Sequence, residues 1–168
     1  MKGKKLLFLI ESLSSGGAET QLVNLLKGMV RQGEDVHLIT WIDNNFYREK
    51  EIPGVHWVKL KRRNFLDFGL VLKMISYSRR NRIDLIHGYL DNGNLYTFFL
   101  KLVFPRKKCF LSERSSERNL PFFRNIYKRI IHSWPSLTTI CNSKAGEIFV
   151  KKNPYFLPKH KSFVMDLI

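Results

Sequence analysis

The chain has 168 residues, 44% of them apolar, and its 29 lysines and arginines against 14 acids give a formal charge of +15. That length suits one domain with a core of its own, and the lack of any run near the ~18 apolar residues of a membrane span argues against a spanning helix. The excess of cations says nothing about fold, but it draws the surface to polyanions: nucleic acid, anionic lipid or phosphorylated small molecules.

The start, Met1-Lys2-Gly3-Lys4-Lys5, has the basic character of a secretory leader. However, the apolar run Leu6–Ile10 is short for a leader's hydrophobic region and Glu11 follows at once, so we expect a cytoplasmic start and a first strand. That strand has no polar interruption, the mark of burial on both faces. A helix is predicted over Ala18–Gln32, with Leu22, Val23, Leu25, Leu26, Met29 and Val30 on one side and Gly33 as its stop. Val36–Thr40 is a second strand. Asn44–Glu51 is a polar connection, Ile52-Pro53-Gly54 a turn and Val55–Leu60 a third strand.

The spacing predicts a helix over Leu66–Asn81, whose basic end Arg79-Arg80 suits the helix dipole. Asp84–His87 is a short fourth strand. Asn92–Phe104 is a helix stopped by Pro105, Cys109–Ser112 a fifth strand and Phe122–Trp134 a helix stopped by Pro135. Leu137–Cys141 is a sixth strand, Ser143–Lys152 a helix that Ser143 can cap, and Ser162–Met165 begins a seventh strand. Cys109 and Cys141 stand in apolar runs without a CxxC partner and read as buried thiols rather than zinc ligands. Strand and helix alternate throughout, which predicts an open α/β fold of Rossmann type: a parallel sheet with helices on both faces, in a single domain.

In such sheets ligands sit beyond the carboxyl ends of the strands. The loop after the first strand, Ser14-Ser15-Gly16-Gly17, is there. Glycines permit positive φ and leave room for a ligand. The following helix offers unpaired N–H groups to a phosphate, and Glu19 in its first turn suits the dipole. Neither G-x-G-x-x-G nor a P-loop spacing is present. On spacing alone the turn reads equally as a plain strand-to-helix connection or as a phosphate cradle.

The stretch from Leu6 to Thr40, with Gly16-Gly17-Ala18-Glu19 at its centre, resembles the opening of a family 4 glycosyltransferase of the GT-B fold. "DLIHGYL" resembles the strand that carries a histidine to the cleft, and "LTTICNSKAGEIFVKK" a later strand and helix, so the resemblance covers almost the whole chain. It implies that Gly16 and Gly17 face the cleft near the donor diphosphate. It also implies that the anomeric configuration is retained without a metal or other cofactor, the leaving group being stabilised by N–H groups and cations. Such enzymes have a second domain that binds the nucleotide sugar and carries Glu-x7-Glu. This sequence ends about where the crossover to it would begin, so residues 1–168 are expected to be the N-terminal, acceptor-binding domain, inactive alone.

Other residues gather on the ligand edge. His87 ends the fourth strand: it is either a satisfied strand-end histidine or, as the resemblance implies, a catalytic contact to the sugar. Asp91 and Asn92, following it, are candidates for hydroxyl binding. Arg114 and Arg118, in the loop after the fifth strand, are either solvated charges or a planar fork for an acceptor phosphate. His37, His56, His132 and His160 read as structural. Along Phe122–Trp134, Phe123, Ile126, Tyr127, Ile130, Ile131 and Trp134 form an apolar stripe beside Arg124, Lys128 and Arg129. Two readings stand: a core-facing helix, or a basic amphipathic surface (Phe123, Arg124, Tyr127, Lys128) docking on anionic lipid.

The leading expectation is therefore the acceptor-binding half of a glycosyltransferase. It would move a sugar from a nucleotide-sugar donor to a lipid-linked or cell-envelope glycan such as lipopolysaccharide, peripherally at the inner face of a membrane. The competing class is a non-catalytic basic module for nucleic acid or anionic membrane. Charge supports that class, and no nucleic-acid-binding motif does.

Overall fold

The computed structural model describes residues 3–64, 67–113, 122–142, 147–148 and 161–164. Strands β1 (Lys5–Leu9), β2 (Asp35–Thr40), β3 (Val55–Lys59), β4 (Leu85–Gly88), β5 (Lys108–Glu113), β6 (Thr138–Cys141) and β7 (Lys161–Val164) form one parallel sheet in the order β3-β2-β1-β4-β5-β6-β7. The helices between them are α1 (Gly17–Arg31), α2 (Phe68–Arg80), α3 (Leu90–Val103) and α4 (Phe122–His132). This is the doubly wound arrangement expected of the alternating sequence. Predicted and observed boundaries agree to within about two residues, the scatter usual at element ends. Of the helix expected over Ser143–Lys152, Glu147 and Ile148 are helical and the rest lies outside the described residues.

The period-2 alternation of β1 divides the core. Leu6, Phe8 and Ile10 join Leu22, Val23 and Leu26 of α1 on one face, with Val36, Leu38 and Tyr89. Leu7 and Leu9 join Leu70 and Met74 of α2, Leu95, Tyr96 and Leu100 of α3 and Ile131 of α4 on the other, with Ile39, Trp41, Ile86 and Leu111. Each such side chain taken from water is worth about 1.5–3 kcal/mol, so covering both faces explains why these strands tolerate no polar interruption.

Helix ends follow local chemistry. Asp67 caps α2 by accepting the Leu70 N–H at 3.0 Å. That bond and the Arg63 N–H hold its carboxyl below the usual range, the Arg63 bond contributing most. α1 ends in a Schellman motif: Gly33 (φ 80°) donates to Val30 O and Glu34 to Met29 O. α2 ends the same way, with Arg82 (φ 55°) donating to Arg79 O and Ile83 to Ser78 O. Arg82 thus holds a left-handed position where glycine is the usual choice.

The order of strands reverses between β1 and β4, and the chain leaves them in opposite directions. Their carboxyl ends flank the crevice where doubly wound sheets bind ligands. Two glycines bring α3 close to it. A Cβ on Gly93 would stand 2.5 Å from Leu9 O, and one on Gly88 2.5 Å from Gly93 O.

Candidate functional site

The glycine turn lies at this crevice. Gly16 is the N-cap of α1 and Gly17 its first residue. Gly16 has φ −75° and ψ 161°, ordinary extended backbone, so the turn does not use the positive φ that glycine permits. What it uses is the missing side chain. Glu19 folds back over the turn, 9% exposed, and its Oε1 accepts the Ser14 hydroxyl at 2.7 Å. A Cβ on Gly16 would collide with Glu19 Oε2. A Cβ on Gly17 would meet nothing within 4 Å. The two glycines therefore have different work: Gly16 admits the Glu19 carboxylate, and Gly17 leaves open space in front of the helix start. No side chain caps that start, and first-turn N–H groups have no carbonyl within their own helix.

Across the crevice, His87 is 4% exposed. Its Nε2 lies 2.8 Å from Ser112 Oγ on β5, and its ring packs among Phe8, Tyr89 and Phe110, 4.7 Å from Tyr89. Asn94 fixes the same strand through both backbone groups of Ser112, donating to its O at 3.0 Å and accepting from its N at 3.1 Å. The imidazole is thus rigidly held beneath the edge, in the packed layer rather than in solvent.

Asp91 joins Asn92 in the helix that follows β4. Leu90, at φ 60°, turns the chain from β4 into α3 within a residue, so both stand in the first turn of that helix. Asp91 is ion-paired with Lys128 at 2.9 Å, and Lys128 also reaches Glu113 at 3.5 Å. Glu113 faces His132 at 3.5 Å, and His132 Nδ1 lies 3.0 Å from Thr139 Oγ1. This network corrects the expectation for Lys128. It is 5% exposed and ties the middle of α4 to the start of α3 and the end of β5, so it belongs to no membrane-facing surface. Buried cations of this kind are retained only when paired, because an unpaired charge costs about 3–5 kcal/mol.

The apolar stripe of α4 is split. Ile131 is buried and Tyr127 half-buried against the core, while Ile126, Ile130 and Trp134 are exposed. Phe123 and Arg124 lie in α4, but their side chains fall outside the described residues, as do Arg114 and Arg118 altogether. Both cysteines are buried, and burial pushes the Cys109 thiol up to about 11, the behaviour of a structural thiol. Sequence reasoning passed over Ser112, Asn94, Gly88 and Gly93. A glycine at the end of a strand and another within the following helix were the available signal of close approach.

The sequence model described as Glycosyltransferase Family 4 matches residues 15–147, a span that includes the glycine turn, His87 and Asp91. The chain belongs to glycosyltransferase family 4. Two crystal structures of Anabaena Alr3699/HepE share its fold. The one in complex with UDP and glucose has a TM-score of 0.74 at 18% identity, and the one in complex with UDP-glucose has 0.70 at 17%. They cover 96% of this chain, which spans 44% and 43% of theirs. TubZ of the Clostridium botulinum phage c-st is more distant, at TM-score 0.51 and 11% identity over 90% of this chain and 58% of its own. At these identities the likeness is one of fold: the family 4 chain has the GT-B type of Rossmann-like domain. No curated protein matches the sequence significantly.

Proposed function

We propose that this chain is the acceptor-binding half of a retaining glycosyltransferase. In this reading a second domain supplies the nucleotide-sugar site, and the sugar passes to a lipid-linked or cell-envelope glycan at the inner face of a membrane. The observation that carries it is the open space in front of Gly17, at the switch point of a family 4 domain. The solved relatives in complex with UDP and with UDP-glucose support a nucleotide-sugar donor. The α1 N-terminus stabilises the leaving diphosphate electrostatically, without a metal. His87, oriented by Ser112, contacts the sugar from beneath, and Glu19 keeps the turn in shape.

Membrane association is the second element of the proposal. Ile126 and Ile130 of α4 and Trp134 just beyond its end are exposed, and a row of aromatic rings, its middle members Phe98 and Phe99 half-buried, runs from there over α3 to α2. Trp134 packs on Phe98 (5.3 Å), Phe98 on Phe99 (6.0 Å) and Phe99 on Phe68 (6.5 Å). An apolar face on a domain of charge +15 suits an anionic bilayer.

The test is retention on the immobilised chain at about 0.15 M salt. Phosphate-bearing glycans or glycolipids from a membrane extract are expected to be held, while duplex DNA passes through and the chain alone transfers no sugar. Retention of DNA with no glycan held would instead establish the basic binding module.

A further inference from the structure

A second concavity lies on the same edge of the sheet, away from the glycine turn. It is a cavity of about 680 Å³ between the carboxyl ends of β2 and β3. Its wall includes Lys59, Lys61, Arg62 and Arg63, against a single carboxylate, Asp43. The loop after β1 borders it. Trp41 N and Ile42 N both donate to Glu11 O, and Asn45 Oδ1 accepts the Leu13 N–H at 2.8 Å. Thus the segment that leads into Ser14–Gly17 is bound to one wall of the cavity.

The cations are not equally committed. Lys59 pairs with Glu49 at 3.0 Å and lies over the Trp57 ring, and Arg62 stands 3.2 Å from Glu11. Lys61 and Arg63 are exposed and make no ion pair among the described residues; Asp67, the acid beside Arg63, is spent on backbone N–H groups. Two atoms behind the wall are buried without a hydrogen-bond partner, Trp41 Nε1 and Arg62 Nη1, the latter meeting Glu11 outside hydrogen-bond geometry; neither is presented to the cavity, whose accessible donors are Lys61, Arg63 and the Asn45 amide. Asn45, whose Oδ1 is taken, has only its NH2 left to offer, a donor. The wall is therefore rich in donors and cations and poor in acceptors. That is the complement of a ligand with several anionic oxygens.

We infer that the β2–β3 cavity binds a phosphate or diphosphate group of the acceptor, with Lys61 and Arg63 as its principal contacts. The inference rests on the acceptor-binding reading above. It adds the chemical class of the acceptor's anchor, and it sets that anchor one loop away from the turn assigned to the donor. Transfer then occurs between two anionic groups held at separate places on one edge, which keeps their mutual repulsion out of the reacting centre.

Trp41, Trp57 and Trp134 are the chain's three tryptophans, and their indole N–H signals make a built-in probe. Pyrophosphate and a short isoprenyl diphosphate are titrated separately into the 15N-labelled chain. The expected result is a saturable shift of the Trp41 indole and the Lys61–Asn64 amides, with Trp134 unmoved. The double variant K61A/R63A should weaken binding at least about tenfold. Both side chains are exposed, so the variant's unchanged remaining spectrum confirms that it is folded. Tighter binding of the isoprenyl compound identifies a lipid-borne phosphate, and equal binding a soluble one. Either supports the site. No saturable shift, an unchanged Kd in the variant, or shifts centred on Gly16 and Gly17 would overturn it while leaving the acceptor-binding reading standing. UDP-glucose shifting the same Trp41 and Lys61–Asn64 signals more strongly than either diphosphate would overturn both, because the cavity would then be a donor site.

Discussion

At the scale of single residues, the glycine turn separates two positions that spacing alone leaves merged. Gly16 serves the fold, because its missing Cβ makes room for the Glu19 carboxylate. At Gly17 a Cβ would meet nothing, so packing does not require a glycine there. The two alanine variants should differ accordingly. Gly16→Ala displaces Glu19 and breaks its bond with Ser14, at a cost of about 1 kcal/mol. Gly17→Ala leaves stability within about 0.5 kcal/mol of the parent chain. Urea denaturation of both distinguishes them, and equal losses would mean that Glu19 does not hold the turn. Lys128 teaches the opposite lesson. Its place in an amphipathic pattern suggested a solvated charge, but Asp91 and Glu113 arrive from other elements and draw it inward. No pattern within one helix reports that.

At the scale of elements, helix ends obey chemistry that sequence displays, with one exception. Gly33 closes α1 as glycine should, but Arg82 closes α2 in the same left-handed geometry at φ 55°. A left-handed non-glycine residue is strained by about 1–2 kcal/mol, part of which glycine gives back through the entropy of the unfolded chain. Arg82→Gly should therefore raise stability by about 0.5–1 kcal/mol, seen as a higher urea midpoint at unchanged slope. A lower midpoint would show that the arginine side chain contributes more than its backbone costs.

The amino edge of the sheet carries a second element-scale device. His37 on β2 is buried, with Nδ1 2.8 Å from the Tyr77 hydroxyl of α2 and Nε2 3.1 Å from Asp35, and it stacks on His56 of β3. Burial pushes its pKa below the usual 6.5, the Asp35 carboxylate only partly opposing. The unfolded chain then takes up the proton first as pH falls. The stabilising effect of neutral His37 is full above 6.5 and is lost as pH falls from there through the lower folded-state value. Asp35 keeps its charge through that window, because Lys5 and the two histidines hold its carboxyl below 3.8 even though burial raises it. The urea midpoint should thus drop between pH 7.5 and 5.5, and drop less in His37→Gln. Parallel drops would assign the effect to other groups.

At the scale of the whole molecule, charge and exposed rings act together. The chain carries +15 overall, and the aromatic row of Phe68, Phe99, Phe98 and Trp134 runs from α2 over α3 to the turn after α4, with its two end rings exposed and its two middle rings half-buried. Among the described residues no helix is long and apolar enough to cross a membrane. If this face docks on lipid, the chain should co-sediment with vesicles containing phosphatidylglycerol, less so as salt rises, and not with neutral vesicles. Trp134→Asp should weaken co-sedimentation at every salt concentration, since it removes the apolar contribution that salt does not screen. Equal binding by that variant would move the contact elsewhere on the surface.

What sequence alone determined is the frame. Unbroken apolar strands require cover on both faces, and their alternation with helices leaves a parallel sheet as the simplest way to provide it. The order of Gly-Gly-Ala-Glu, the histidine strand and the later strand then points to family 4. Such features are local or sequential, so they survive in one dimension. The tertiary structure decided which side chains meet. It set His87 against Ser112, buried Lys128 between two acids that are 22 residues apart in sequence, and gathered the β2 and β3 ends into a basic cavity. Those meetings depend on strand order and on which face each helix covers, and neither is written in any single stretch of the chain.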